Sequence, residues 1–224
     1  MTATALMARG VCKEYRTSGG VITPVEGFDL TLEPGELVAL HGPSASGKTT
    51  IVHLLAGWEQ PDRGVIAWPG ASAAPPSWSE LAVIPQTVAL LDELTVAENI
   101  TLPLRALQAS RTTDGLPPMA GELAQVLEEL GLTPLLDRTV DQISVGEQQR
   151  VMVARALSTH PAVILADEPT AHQDERNAGV IAWLLRQATR QGAACLIATR
   201  QTTLRALVDQ AGIVHLQHSL HTFK

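Results

Sequence analysis

With 224 residues, 45% of them apolar, the chain can bury a sizeable core as one large domain or as a domain carrying an inserted lobe. A formal net charge of −7, with no block of basic residues to offset it, argues against a nucleic-acid-binding surface. No apolar run approaches the ~18 residues that cross a bilayer. Met1–Arg9 is too short and too weakly apolar for a secretory leader, so a soluble, cytoplasmic chain is expected. Cys12 and Cys195 stand alone, outside any C-x-x-C pair, and read as two reduced thiols rather than a disulfide or metal site.

In chain order, Leu6–Val11 and Val21–Leu32 alternate in polarity as strands do, with a turn at Thr17–Gly20. Tyr15, the only tyrosine, falls between them. It is either a half-buried loop aromatic or a ring offered to a purine base. Glu33–Glu36 turns the chain into the apolar run Leu37–Leu40, a buried strand. Next comes Gly42-Pro43-Ser44-Ala45-Ser46-Gly47-Lys48-Thr49, followed by Thr50 and the helical Ile51–Leu55. The pattern G-x-x-x-x-G-K-[ST] between a strand and a helix is a phosphate-binding loop rather than a chance glycine turn. Its glycines let successive N–H groups line an anion-sized hollow, and the helix adds the positive end of its dipole. Lys48 is expected to reach the β- and γ-phosphates and Thr49 to hold Mg²⁺.

Val65–Trp68 reads as a short strand, Pro69–Ser79 as a loop, and Leu81–Ile84 as a strand delivering Gln86. Thr95 and Glu98 form a capping box opening a helix, Thr112–Pro118 an exposed turn, and Glu122–Leu130 an amphipathic helix stopped by Gly131. Residues 86–160 are thus mostly helical and form an approximate inserted lobe between 1–85 and 161–224. Ser144 and Gly146, at the head of the helical Val151–Leu157 run, either cap that helix or expose a second anion site. Ala162–Ala166 is a continuous apolar run, as in a central parallel strand, and it ends in Asp167-Glu168. These are two solvated loop acids, or else Asp167 coordinates Mg²⁺ and Glu168 polarises an attacking water. Asn177–Gln191 reads as a helix, Ala194–Ala198 as a buried strand, Thr203–Val208 as a helix, and Ile213–Leu216 with Leu220–Phe223 as a closing hairpin.

Taken together, these motifs resemble the nucleotide-binding subunit of an ATP-binding cassette (ABC) transporter over essentially the whole chain. Tyr15 matches the base-stacking loop, Gly42–Thr49 the Walker A loop, and Gln86 the Q-loop. Ile143–Glu147 matches the signature segment, Asp167 and Glu168 the Walker B acids, and Ala171–Asp174 the D-loop. Leu165–Thr170, Glu147–Arg150 and Leu94–Asn99 look most like the branch serving lipoprotein release and macrolide export.

The resemblance implies an α/β fold: a P-loop NTPase (RecA-like) core with an antiparallel β subdomain and an inserted α-helical subdomain. It implies an ATPase using ATP and Mg²⁺, with Thr49, Gln86 and Asp167 toward the metal and Lys48, Gln86 and Glu168 toward catalysis. Two such subunits, identical or not, would pair head to tail around two ATPs, with Ser144 and Gly146 facing the partner's γ-phosphate. A membrane-spanning permease would hold the pair on the inner face of the membrane. An alternative within the same fold is a regulatory or mechanotransmitting module with little hydrolysis. Departures from the pattern bear on that choice. Val145 stands where glycine is usual, Ala45 replaces a common loop glycine, and His172-Gln173 is unusual in the D-loop. The switch histidine is replaced by Arg200, which stays protonated where histidine titrates.

Overall fold

The alternating first third folds as an antiparallel hairpin of β1 (Leu6–Thr17) and β2 (Gly20–Leu32), with β4 (Arg63–Ala67) on the other side of β1. The computed structural model describes residues 4–71, 76–108, 121–200 and 212–215. Tyr15 lies inside β1, opposite Ile22, rather than in a loop. The end of this hairpin, Lys13–Thr17, has no run of aliphatic residues to alternate with its charges, so its polarity carries no strand signal, and pairing with β2 sets its conformation.

A second, parallel sheet has the order β5-β6-β7-β3-β8. Its strands are β3 (Leu37–His41), β5 (Leu81–Ile84), β6 (Val163–Asp167), β7 (Ala194–Thr199) and β8 (Gly212–His215). Strands β6 and β7 are buried throughout, as their unbroken apolar runs require. Their side chains alternate between two cores. Ile164, Ala166, Cys195 and Ile197 join the helical side, while Leu165, Leu196 and Ala198 face α1 (Lys48–Leu55) and the β1–β2 hairpin. Burial pushes the Cys195 thiol up to about 12, so it is an inert core residue. β8 joins the parallel sheet beside β3. The expected hairpin partner Leu220–Phe223 and the helix at Thr203–Val208 lie outside the described residues, as does the Thr112–Pro118 turn.

Between β5 and β6 the described elements are helical: α2 (Val96–Gln108), α3 (Glu122–Glu129) and α4 (Val145–Leu157), with two short 3₁₀ turns. Thr95 and Glu98 form the capping box expected from the sequence, with the Glu98 N–H donating to Thr95 Oγ1 at 3.2 Å and the Thr95 N–H to Glu98 Oε2 at 2.9 Å. Helix α2 runs through Pro103, four residues beyond the segment's expected end at Leu104. Proline cannot donate to the carbonyl four residues back, but burial of Val96 and Ile100 in the core shared with α4 and β5 carries the helix through. α5 (Glu175–Arg190) opens at Asp174, whose side chain accepts from the Asn177 N–H at 2.7 Å.

Candidate functional site

Strand β3 ends at His41, and the glycine-bearing loop Gly42–Gly47 turns the chain into α1. Gly47 has φ 89°, and a Cβ there would lie 2.2 Å from the Pro24 carbonyl oxygen. Only glycine satisfies both the left-handed backbone and the close approach of β2. Ala45 takes a positive φ of 62° in the same loop. Lys48 is 7% exposed and curls over the loop, its Nζ donating to the Gly42 carbonyl at 2.7 Å and the Pro43 carbonyl at 2.8 Å. Burial holds its ammonium below the usual lysine range, with the Glu168 and Asp167 carboxylates pulling the other way. Ser46 is buried, and its Oγ has no partner among the described residues.

The acids arrive from β6. Asp167 is its last residue, 2% exposed, and Oδ2 accepts from Thr49 Oγ1 at 2.6 Å. Its Oδ1 is buried with no partner among the described residues. Gln86 Oε1 lies 3.5 Å from Thr49 Oγ1. Thr49 Oγ1, Gln86 Oε1 and the Asp167 carboxylate, one oxygen of which is unpartnered, thus lie together as hard oxygen donors, a set that fits Mg²⁺. Burial raises the Asp167 pKa, against the lowering effects of the Thr49 hydrogen bond and the Lys48 charge.

Glu168 is 4% exposed and has φ 47°, a left-handed conformation that costs a non-glycine residue on the order of 1 kcal/mol or more. Its N–H donates to the Ala198 carbonyl at 2.8 Å, and its own carbonyl accepts from Ala171 at 2.9 Å. Its carboxylate is held at both oxygens. Thr199 Oγ1 donates to Oε2 at 3.1 Å and the Arg200 N–H to Oε1 at 3.0 Å. The Arg200 guanidinium spans the gap to the phosphate loop, with Nε 3.7 Å from Glu168 Oε1 and Nη1 donating to Ser44 Oγ at 3.3 Å.

Lys48, Thr49, Gln86, Asp167, Glu168, Arg200 and Ser44 thus form one constellation at the C-terminal ends of neighbouring parallel strands. Tyr15 reaches its edge. The phenol donates to Glu59 Oε2 at 2.6 Å, and Lys13 Nζ stands 5.6 Å from the ring centroid. Burial and the Glu59 hydrogen bond raise its pKa to about 12, although the Thr50 hydroxyl works the other way. Ser144 and Gly146 stand apart, at the head of α4. Ser144 is the N-cap, forming a reciprocal capping box with Glu147. Among the described residues no hydrogen bond links either to the phosphate loop. Val145 beside them is 50% exposed.

Several supporting groups escape sequence reasoning: Thr199 on Glu168, Glu59 on Tyr15, and the Pro24 backbone against Gly47. They meet the site only through tertiary folding, across separations of up to 44 residues, and no local pattern marks them.

A family model described as ABC transporter matches residues 25–171. The chain is 35% identical over 219 residues to the lipoprotein-releasing system ATP-binding protein LolD 2 of Caulobacter vibrioides, covering 94% of each chain. It is 33% identical over 214 residues to the macrolide export ATP-binding/permease protein MacB of Rhodopseudomonas palustris, covering 92% of this chain and 32% of that one. Among solved structures it is similar to a dimeric post-hydrolysis state of the ATP-binding cassette MJ0796 bound to ADP and Pi. That match has a TM-score of 0.78 and 26% identity, and it covers 95% of this chain and 94% of the other.

Proposed function

This chain belongs to the ABC transporter family as an ATP-binding, ATP-hydrolysing subunit that uses Mg²⁺, and we propose that it powers a separate membrane permease by pairing head to tail with a second ABC subunit. The observation that carries the proposal is the buried constellation of Lys48, Thr49, Asp167 and Glu168, with Asp167 Oδ1 left unpartnered. Lys48 and the loop N–H groups hold the phosphates of ATP, while Thr49, Gln86 and Asp167 supply the oxygens that would hold Mg²⁺. The ion, when bound, neutralises phosphate charge. Glu168 accepts the proton of the attacking water, and Ser144 and Gly146 of the second subunit close over the γ-phosphate.

Export is the direction supported by the printed functions of the lipoprotein-release and macrolide relatives. No helix among the described residues is long and apolar enough to cross a membrane, which accords with a peripheral position held through the permease. A groove of about 480 Å³ supports that attachment. Trp58, Trp78, Leu91 and Pro103 line it, with Arg155 at one wall. Trp58 and Trp78 are 54% and 44% exposed, and such apolar surface suits a helix of the permease.

Hydrolysis is attenuated in this reading. Both carboxylate oxygens of Glu168 already accept hydrogen bonds, and the Arg200 guanidinium, forked where histidine is compact, stands 3.7 Å from one of them. The same contacts favour the second reading, a module in which ATP closes a dimer and turnover is incidental. Steady-state ATPase of three forms tests both. Glu168→Gln should lower kcat by about 10²–10⁴-fold and trap an ATP-bound dimer, and continued fast turnover would assign the base elsewhere. Arg200→His should raise kcat about tenfold, a small part of the range open to acid–base groups. An unchanged or lower rate removes Arg200 as the limiting group. Native turnover at background level, unaffected by Glu168→Gln, would favour the module.

A further inference from the structure

Tyr15 is placed by two separate holds. Its backbone is fixed by the pairing of β1 with β2, where it stands opposite Ile22. Its phenol is fixed from 44 residues away, donating to Glu59 Oε2 at 2.6 Å. A hydroxyl on a carboxylate at that length is a charge-assisted bond, roughly twice as strong as a neutral one. Burial and Glu59 raise the phenol's pKa to about 12, so it stays a donor at neutral pH. The Lys13 ammonium stands over the ring, 5.6 Å from its centroid.

Glu59 is itself built in. It follows the C-terminal end of α1, its N–H donating to the His53 carbonyl at 3.4 Å. His53 Nδ1 lies 3.3 Å from Glu59 Oε1, and the His53 and Trp58 ring centroids are 5.3 Å apart. Lys13 Nζ stands 3.9 Å from Glu59 Oε2 and donates to the Gln60 carbonyl at 2.8 Å. Just beyond, the Asp62 N–H donates to the Cys12 carbonyl at 2.9 Å, and Asp62 Oδ2 accepts from the Glu14 N–H at 2.7 Å. The segment 59–62 therefore straps β1 to α1, the helix that opens with Lys48 and Thr49. Tyr15 is half-buried, between exposed Glu14 and Arg16. Without the strap its ring would sample several rotamers. A base stacking on it would then bear the cost of ordering it, about two- to tenfold in affinity for one side chain.

We propose that Glu59 is a positioning residue for the base of the nucleotide: it holds the Tyr15 ring at a set place relative to the phosphate helix α1 and so governs the base-dependent share of the affinity. The inference rests on the reading of Tyr15 as the ring that stacks on the base.

The test is calorimetric titration of the full chain with MgADP and with magnesium pyrophosphate, a base-bearing and a base-free diphosphate that need no turnover. Glu59→Ala should weaken MgADP binding about fivefold and leave pyrophosphate within about twofold. Glu59→Gln keeps an acceptor for the phenol and should bind MgADP within about twofold of the native chain. A merely structural role would lower the melting temperature or weaken both ligands alike, and either result without a selective loss of MgADP overturns the proposal. Glu59→Gln as weak as Glu59→Ala overturns it too, because the hydrogen bond would then not be the operative contact. Tyr15→Phe keeps the ring and removes the phenol. It should match Glu59→Ala, and adding Glu59→Ala to it should cost less than about twofold more; fully additive losses would show that Glu59 acts elsewhere. Tyr15→Ala separates the two levels of the argument. It should weaken MgADP at least about tenfold, within the range of base–aromatic stacking, and spare pyrophosphate. MgADP binding unchanged in Tyr15→Ala would defeat the base-stacking reading, and this one with it.

Discussion

Asp167 shows how a single residue can be set against the fold that carries it. Burial raises its pKa, and the Thr49 hydrogen bond and Lys48 charge only partly oppose that. Above the ordinary carboxylate pKa the unfolded chain ionises freely, whereas the folded chain must charge a buried group. The raised pKa therefore counts against stability, the penalty growing as pH rises from the ordinary carboxylate value to the raised one, and it vanishes only well below pH 4, where both states are protonated. Asp167→Asn should accordingly melt higher at pH 7, by about 2–4 °C if the relief is about 1 kcal/mol, with the gain shrinking as the pH approaches 4. The same change should weaken Mg²⁺ dependence about 10–100-fold. Thermal melts across pH and ATPase measured against Mg²⁺ concentration check the two halves. A variant no more stable at pH 7 would mean that Lys48 and Thr49 already offset the burial.

At the scale of elements, legibility followed the range of the interactions. The phosphate loop, the Thr95–Glu98 box and the buried run of β6 rest on neighbours in sequence, and each was readable. The extension of β1 through Tyr15 was not, because only pairing with β2 defines it. Nor could spacing show that Thr199 and Arg200 clamp Glu168 from 31 and 32 residues away. Asn99 is a further case hidden from pattern reading. It is fully buried at the start of α2, where Oδ1 accepts from the Leu91 N–H at 2.9 Å and Nδ2 donates to the Leu91, Leu94 and Thr95 carbonyls at 3.0 to 3.3 Å. One amide thus fixes the segment that carries Leu91 into the groove. Asn99→Ala strands buried backbone groups and should cost about 2–3 kcal/mol, lowering the denaturation midpoint at unchanged slope. Asn99→Asp keeps the acceptor but loses the donors and should not recover the loss.

Across the whole molecule, the site exists because the parallel sheet ends three strands side by side. His41 pairs with Thr199 and Asp167 with Ala198, so the phosphate loop, the acids and Arg200 emerge together at the C-terminal edge. The two cores on either side of β6 and β7 hold that edge in place, which ties nucleotide binding to global stability. A ligand that binds only the folded chain stabilises it by mass action, about 2.7 kcal/mol at one hundred times its Kd. For a chain of this size that is a rise in Tm of about 5–10 °C. MgATP should produce this shift in the native protein. Lys48→Ala should abolish it, since the phosphates lose the one ammonium folded over the Gly42 and Pro43 carbonyls. The lysine's burial costs the native fold something in the absence of nucleotide, so the variant alone should melt no lower than the parent. A Lys48→Ala chain that still gains several degrees from MgATP would place the nucleotide somewhere other than this loop.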